Sequence, residues 1–419
     1  MTMSHVEGSA GMRIRNAVAV TAAAVMTAGG LVLAGSGAAS ADTVGYKPDR
    51  TLADDEFAPS VALEIADDGT VYALRHDGWQ LDVFGPRADG KKAKPVRKLQ
   101  YPITEAATDI ALDGRGRLYI LDPHGPTTGT SKVTVLRPGG KGAVLRTLVV
   151  PGEWTRLGVS AAGHVAVAGA SAVRVYAPGA AGSATPSQVL AGSGARLPEE
   201  VSDVALTSDG RLWVADEAKL LVYARGATGA TAPAATVAGS RTGLSWVNNL
   251  DVDAKNRVYV EDSHVDAIKA FSSTSYGNVA PIRTLSYDGA YPVSWALLAV
   301  NARGDMVTKR TESTLGIYRT LFPTRPSVVR SVRVSGKPAA KKRTVRWKRP
   351  ADDGGRAVKS YAVVFRKGSK VVKKVTLKPG RRSYTVKKSA LRRGKLTVTV
   401  RAKTAKGWSP KRVKKFRVR

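Results

Sequence analysis

The stretch Val204-Ala-Leu-Thr-Ser-Asp-Gly210-Arg-Leu-Trp-Val-Ala-Asp216 decides the fold, because its pattern returns five more times along the chain. Two alternating apolar runs flank a residue that tolerates positive φ, the pattern of a strand, a tight turn and a second strand. Aligned on the turn residue, the copies fall at Gly69, Gly116, Gly163, Gly210, Asn256 and Gly304, with successive spacings of 47, 47, 47, 46 and 48. A period this regular marks one supersecondary unit that buries its apolar faces against its own copies.

Each unit carries two further runs. The third is seen in Leu81-Asp-Val-Phe84, Val133-Thr-Val-Leu136 and Val173-Arg-Val-Tyr176, and the fourth in Pro95-Val-Arg-Lys-Leu99, Pro186-Ser-Gln-Val-Leu190 and Pro281-Ile-Arg-Thr-Leu285. Four short strands per repeat of this length predict the blade of a β-propeller, here with six blades over residues 42–323. The sixth copy lacks an outer run, whereas Lys47-Pro-Asp-Arg-Thr-Leu52 matches Lys94-Pro-Val-Arg-Lys-Leu99 one period earlier. Residues 47–52 are therefore expected to pair onto the last blade and close the ring, which removes the open edges of a linear array.

Gly210-Arg-Leu-Trp-Val-Ala-Asp216 and Asn256-Arg-Val-Tyr-Val-Glu-Asp262 resemble the NHL repeat, with its turn Gly or Asn, aromatic-containing strand and strand-end Asp. Asp122, Asp216 and Asp262 each stand six residues after their turn residue, while Arg75, Gly169 and Arg310 replace the Asp in the other copies. The resemblance covers about residues 46–322 and implies a six-bladed propeller used mostly as a binding platform, with no single chemistry.

The chain has 419 residues and no cysteine, which excludes disulfides, thiolate catalysis and Cys-based metal sites. Arg13, Arg15, the apolar stretch Ala17–Leu33 and Ala39-Ser-Ala41 predict a secretory signal over residues 1–41, cleaved before Asp42, with translation starting at Met1 or Met12. An uncleaved anchor is the alternative, disfavoured by the short apolar core and its glycines. No other stretch is long and apolar enough to cross a bilayer. The Ala, Gly, Val and Arg bias, with export and no cysteine, suggests a secreted, extracellular or wall-associated protein of a high-GC bacterium.

From Arg325 to Arg419 there are 34 Lys and Arg against two acids, Asp352 and Asp353, so this segment holds +32 of the chain's +33. It still alternates, as in Thr344-Val-Arg-Trp-Lys348 and Lys395-Leu-Thr-Val-Thr-Val-Arg-Ala402, which predicts a small β-sandwich. Val345-Arg-Trp347-Lys-Arg-Pro350, Tyr361-Ala-Val363 and Gly407-Trp-Ser-Pro410 resemble a fibronectin type III domain over residues 325–419. Leu396 stands where that family commonly has its corner Tyr, so that hydrogen bond is expected to be lost.

Seven residues before the turn residues stand Ala62, Asp109, Arg156, Asp203, Asn249 and Leu297, and Trp154, Trp246 and Trp295 lie nine or ten before theirs. Asp109, Arg156, Asp203 and Asn249 with Trp154, Trp246 and Trp295 make a candidate ligand-binding face for a peptide or glycan. The competing reading places the tryptophans as seals between blades and the strand-end aspartates in turn structure. His124 and His264 share a register eight residues after their turn residues, in blades that are not adjacent, so no joint metal site is expected. Gluconolactonase-like propellers hold a divalent cation with Glu, Asn and Asp at the channel mouth; Asp109, Asp203 and Asn249 are similar, but Glu64 stands at a different register. There is no Gly-x-Ser-x-Gly, phosphate-cradling loop or zinc spacing, so no catalytic residue is assigned and no cofactor is expected. A divalent cation enters only under an alternative reading, a cation-dependent hydrolase or lyase at the channel mouth.

Alternation turns Arg346, Lys348, Lys359, Arg366, Lys373, Arg401 and Lys403 outward as a polyanion-binding coat, suited to anionic cell-wall polymer. Nothing in the segment reads bases, because Tyr361, Phe365 and Tyr384 are expected in the core. The favoured reading is a secreted binding protein whose propeller face takes a peptide or glycan and whose basic domain holds wall polymer.

Overall fold

The structure is a computed structural model that describes residues 43–53, 60–75, 80–90, 93–100, 106–139, 141–264, 267–287, 297–311 and 313–419. The expected signal at 1–41 and Trp295 lie outside the described residues. Ser40–Arg419 forms one compact, all-β unit.

Among the described residues the repeats build six sheets, four of them antiparallel meanders whose strands neighbour one another in chain order and two that also take a strand from the N-terminal segment. Their first strands are Ser60–Ile65, Asp109–Leu112, Arg156–Val159, Asp203–Leu206, Val247–Val252 and Leu298–Val300, in sheets I to VI. Each first strand touches the next one in order, and the sixth returns to the first, so the sheets form a propeller-like ring around a central channel. Six apolar cores lie between successive sheets, and the one between VI and I gathers Leu63, Val71 and Phe84 with Val307, Leu315 and Ile317.

The turn residues behave as their spacing requires. Gly69, Gly116, Gly163, Gly210 and Gly304 have φ between 72° and 92°, and Asn256 has φ 57°, the left-handed region that Gly and Asn enter most readily. In five of the six copies a short polar side chain three residues earlier ties the turn, Ala66 standing there in the first. Asp113 Oδ1 accepts the N–H of Arg115 and Arg117 at 2.9 and 3.0 Å, and Asp253, Ser160, Thr207 and Asn301 do the same work in their copies.

The ring closes through chain ends that are far apart in sequence. Arg50–Ala53 pairs antiparallel with Thr314–Tyr318 as the outer strand of sheet VI, with Leu52 opposite Leu315 and fully buried. Its pairing starts at Arg50, inside the expected 47–52, because Pro48 has no N–H to give to a ladder. The same effect trims the other outer strands: Pro95, Pro186, Pro233 and Pro281 each stand two residues before the strands Arg97–Leu99, Gln188–Ala191, Ala235–Val237 and Arg283–Tyr287. The outer strand of sheet VI then latches onto sheet I as other sheets latch onto their neighbours. Gly90 N–H donates to Thr51 O at 2.7 Å, as Gly182 does to Thr147, Gly229 to Val189 and Gly277 to Thr236. A strand not foreseen from sequence, Thr43–Tyr46, runs parallel to Arg283–Tyr287 at the edge of sheet V.

Beyond the ring, Val329–Ser335, Lys342–Pro350 and Ser383–Lys387 form a three-stranded sheet. It packs on a second sheet of Lys370–Leu377, Ser360–Lys367, Gly394–Thr404 and Arg412–Val418, with the short Gly407–Trp408 at its edge. Trp347, Tyr361, Phe365 and Leu396 are buried between them and Tyr384 packs on Phe365. The sandwich meets the ring through Thr324 N–H on Gly354 O at 2.9 Å, Arg356 Nη1 on Thr320 O at 3.3 Å, and an Arg319–Asp353 ion pair. Gly354 has φ 71°, and a Cβ there would run into the Thr324 carbonyl, so this joint requires glycine.

Candidate functional site

The first strands turn every second residue into the channel, and the channel wall therefore has two polar layers. Seven residues before the turns come Asp109, Asp203 and Asn249 with Ala62 and Leu297; five before come Glu64 and Asp251 with Ala111, Gly158, Ala205 and Ala299. Together they line a cavity of about 470 Å³ whose rim is made by turn residues such as Asp67, Gly114, Ser208 and Ala302. Glu64 stands at a different register from Asp109, Asp203 and Asn249, on the same strand face one layer along, and lines the same channel.

Four carboxylates share one hydrogen-bond pattern. One oxygen of Glu64, Asp109, Asp203 and Asp251 accepts the N–H of the following residue, and the other accepts an N–H from the first strand of the next sheet. Those inter-sheet bonds reach Leu112 at 3.1 Å, Leu157 at 2.8 Å, Leu250 at 2.8 Å and Val300 at 2.6 Å. Between sheets III and IV the stitch is inverted: Arg156 Nε donates to Ser202 O at 2.5 Å. At the same junction Gly158 lies so close to the Val204 carbonyl that a Cβ would meet it at 2.5 Å.

Hydrogen bonds to a carboxylate favour its charged form, yet here enclosure wins. Burial pushes Asp109 up to about 8, with Asp203 adding to the rise and Arg156 opposing it. Burial likewise takes Asp203 to about 6 against its bond from Leu250, and Asp251 to about 7 against its bond from Val300. Glu64 is held well above the ordinary carboxylate range, by burial first and by Asp251 next. Near neutrality the channel thus offers both protonated and ionised carboxyls, Asp109 on the protonated side and Asp203 on the ionised side, with the Asn249 amide, a lining for hydroxyls and amides.

The incoming loops differ from the expected face. Trp154 is 6 % exposed, sits in the core between sheets II and III, and donates its indole N–H to Pro151 O at 2.9 Å. It seals two sheets, as the competing reading had it, and offers no free surface. Trp246 is 44 % exposed, with the His264 ring 5.4 Å from its own. Asp262 holds this corner by accepting Ser245 N–H and Trp246 N–H at 2.9 and 3.0 Å while pairing with Lys269 at 2.7 Å. Asp122 and Asp216 are similarly engaged, with Lys132 and Lys219. Among the described residues no three His, Asp or Glu side chains are grouped as metal ligands.

The seven polyanion candidates do not share a surface. Arg346 and Lys348 face outward from the three-stranded sheet, whereas Arg366, Arg401 and Lys403 belong to the opposite sheet, with Arg401 and Lys403 lying 5.7 and 5.6 Å from the Trp408 ring. Lys359 precedes the strand Ser360–Lys367, and Lys373 stands opposite Phe365 beside a bulge.

No family model matches the sequence, and no curated protein does. Among solved structures, the chain is similar to the WD40 β-propeller domain of Doa1, at 12 % identity over 65 % of this chain and 96 % of that one, TM-score 0.44. It is similar to virginiamycin B lyase from Staphylococcus aureus at 11 % identity over 72 % and 96 %, TM-score 0.40. An extracellular domain assigned to a hybrid two-component system of B. thetaiotaomicron matches at 10 % identity over 86 % of this chain, TM-score 0.41. This chain spans little more than half of that domain, 56 % of its length. The ring itself stands on its own strand pairing.

Asp251 is the channel residue that sequence reasoning missed, and Glu64 was seen there only as lying at a different register. The signal was present: strand side chains repeat every two residues, so the polar register seven before each turn has a companion five before it.

Proposed function

We propose that the six sheets are an NHL-like six-bladed β-propeller and the C-terminal unit a fibronectin type III-like domain. We read the whole as a secreted binding protein whose ring captures a peptide or glycan while its basic domain holds anionic wall polymer. The observation that carries this reading is the segregation of charge: 34 cations and two acids in residues 325–419. Both acids lie at the joint with the ring, Asp353 on Arg319 and Asp352 on the Gly354 N–H. The remainder of the domain's surface is unopposed positive charge, which draws polyanions in a salt-dependent way.

For the ring, the support is the channel with its hydroxyl- and amide-bonding lining and the exposed Trp246 corner on an incoming loop. The arrangement of carboxylates favours binding over cation chemistry, since each oxygen already accepts a backbone N–H and the raised pKa values leave less negative charge to hold a metal.

The test is retention of the chain on purified bacterial walls with and without their anionic polymers, at low and high salt. Retention that disappears with the polymer and with salt is the expected result. Retention indifferent to both would overturn the role given to the basic domain.

A further inference from the structure

The outer face of the three-stranded sheet carries cations directly opposite cations. Arg330 pairs with Lys348, Arg333 with Arg346, and Lys342 with Lys387, all six exposed. Side chains directly opposite in an antiparallel pair have Cβ atoms about 4.5–5.5 Å apart, and like charges there oppose folding. No acid of the domain lies on this face, because Asp352 and Asp353 are both at the ring joint. Among the described residues Arg330 donates to the Arg349 carbonyl and Arg346 to the Ser335 hydroxyl.

The backbone is bent to make this arrangement. Arg330 and Arg333 are three residues apart, so in a regular strand they would point to opposite faces. A register shift between them, with Ser331 at φ 53°, places both opposite outward-facing residues of the neighbouring strand. Bulges commonly re-aim a side chain in this way, and a non-glycine residue at positive φ adds local strain. A domain seeking only solubility gains nothing from concentrating repulsion on one face at the expense of backbone strain.

Between the cation pairs run hydroxyls. Ser335, Thr344 and Thr385 form one cross-strand row, with the two Thr Oγ1 atoms 3.0 Å apart. Along the strands the order is Arg330/Lys348, Arg333/Arg346, the hydroxyl row and then Lys342/Lys387. Cationic and hydroxyl donors recurring at the strand repeat, about 6.6 Å for every two residues, match a chain of phosphodiesters, whose oxygens accept from both kinds of donor.

We propose that the outer face of the three-stranded sheet is a docking track for an extended phosphodiester polymer, centred on the Arg330/Lys348 and Arg333/Arg346 pairs. The proposal rests on the polymer-binding reading of the basic domain and assigns that binding to one of the domain's two faces. Occupancy relieves the repulsion that the empty face carries, so binding and folding are coupled there.

The test uses the full mature chain with purified poly(glycerol phosphate), and with oligodeoxythymidylate as the second phosphodiester source. R333Q/R346Q should weaken binding about tenfold at low salt and reduce the slope of log affinity against log salt by about 1.4 to 1.8. K374Q/K415Q, an equal charge change on the opposite sheet, should weaken it less than about threefold. Without polymer, R346Q alone should raise the thermal midpoint, because it removes one like-charge pair, and added polymer should raise the midpoint of wild type more than that of R346Q. Stronger binding of poly(glycerol phosphate) than of the oligonucleotide assigns the source to wall polymer; equal binding assigns phosphodiesters in general. Equal losses in the two double variants, or a lowered midpoint in R346Q, would overturn the track while leaving polymer binding standing. Absence of wild-type binding at low salt would instead remove the reading beneath it.

Discussion

Asp353 Oδ2 lies 2.8 Å from Arg319 Nη1, and through this pair one of the basic domain's two acids meets the ring. Both side chains are about a third exposed, 36 % and 37 %, so solvent screens the pair and its contribution to stability is under about 1 kcal/mol. Its role is orientation. D353N should leave the unfolding free energy nearly unchanged and speed proteolytic cleavage within residues 322–326; an unchanged cleavage rate would show that the Thr324–Gly354 backbone contact holds the joint alone.

The channel carboxyls set a pH dependence with a definite sign. Asp109, Asp203, Asp251 and Glu64 have folded pKa values above their ordinary ones, so the native state holds protons that the unfolded chain releases. Their contribution is whole below the unfolded carboxylate pKa of about 4, and that of the three aspartates is lost as pH rises through about 6 to 8. Urea midpoints should fall from pH 5 to pH 9. The basic domain has no histidine. D109N should flatten the profile, and a profile as steep as wild type would show that Asp109 is already ionised at pH 5.

Trp154 and Trp246 separate sealing from display. W154A should cost about 3–5 kcal/mol in urea unfolding, because it empties a packed site between sheets. W246A should cost less than about 1 kcal/mol, its ring being 44 % exposed, and reduce capture of glycan or peptide by the ring. Full capture by W246A would remove this corner from the binding face.

Leu52 should count as a core residue of the ring although it lies near the first of the described residues. Leu52, Leu148 and Leu190 occupy the same latch in three sheets and are 0–1 % exposed. Each Leu→Ala change should cost about 2–5 kcal/mol. An L52A cost well under those of L148A and L190A would mean that the closing strand is dispensable.

Two glycines test two different constraints. Gly158→Ala should destabilise by collision with the Val204 carbonyl, with no backbone strain involved. Gly90→Ala meets no neighbour within 4 Å but has φ 90°, so its cost, about 1–2 kcal/mol, comes from conformation alone. A relaxed D-alanine at position 90, introduced by semisynthesis, should restore stability where the L residue does not.

Much of this was legible in the chain because repetition multiplies weak signals. One Gly between two apolar runs says little, whereas Gly69 through Gly304 at a near-constant interval fixes the turns of every copy, and all six residues are found at positive φ. The basic sandwich was legible because its alternation survives among so many cations. The candidate site was less so. Trp154 and Trp246 look alike in register, and only the neighbouring sheet decides which is covered. Thr43–Tyr46 pairs parallel to a strand some 240 residues away, a contact that leaves no periodic mark. The bulge at Ser331 depends on the partner strand's register, which local propensity does not encode.

The closing strand also decides how the molecule responds to tension. Asp49 and Arg50 pair with Ile317 at the end of sheet VI where the chain leaves for the basic domain. A pull between the N-terminal segment and that exit therefore opens the strand pair from one end, breaking its bonds one after another instead of shearing them together. If the basic domain is held by wall polymer while the leading segment is drawn outward, the parallel pairing of Thr43–Tyr46 on sheet V bears the load first, and once it gives way the strand pair of sheet VI unzips and opens the ring at its closing strand.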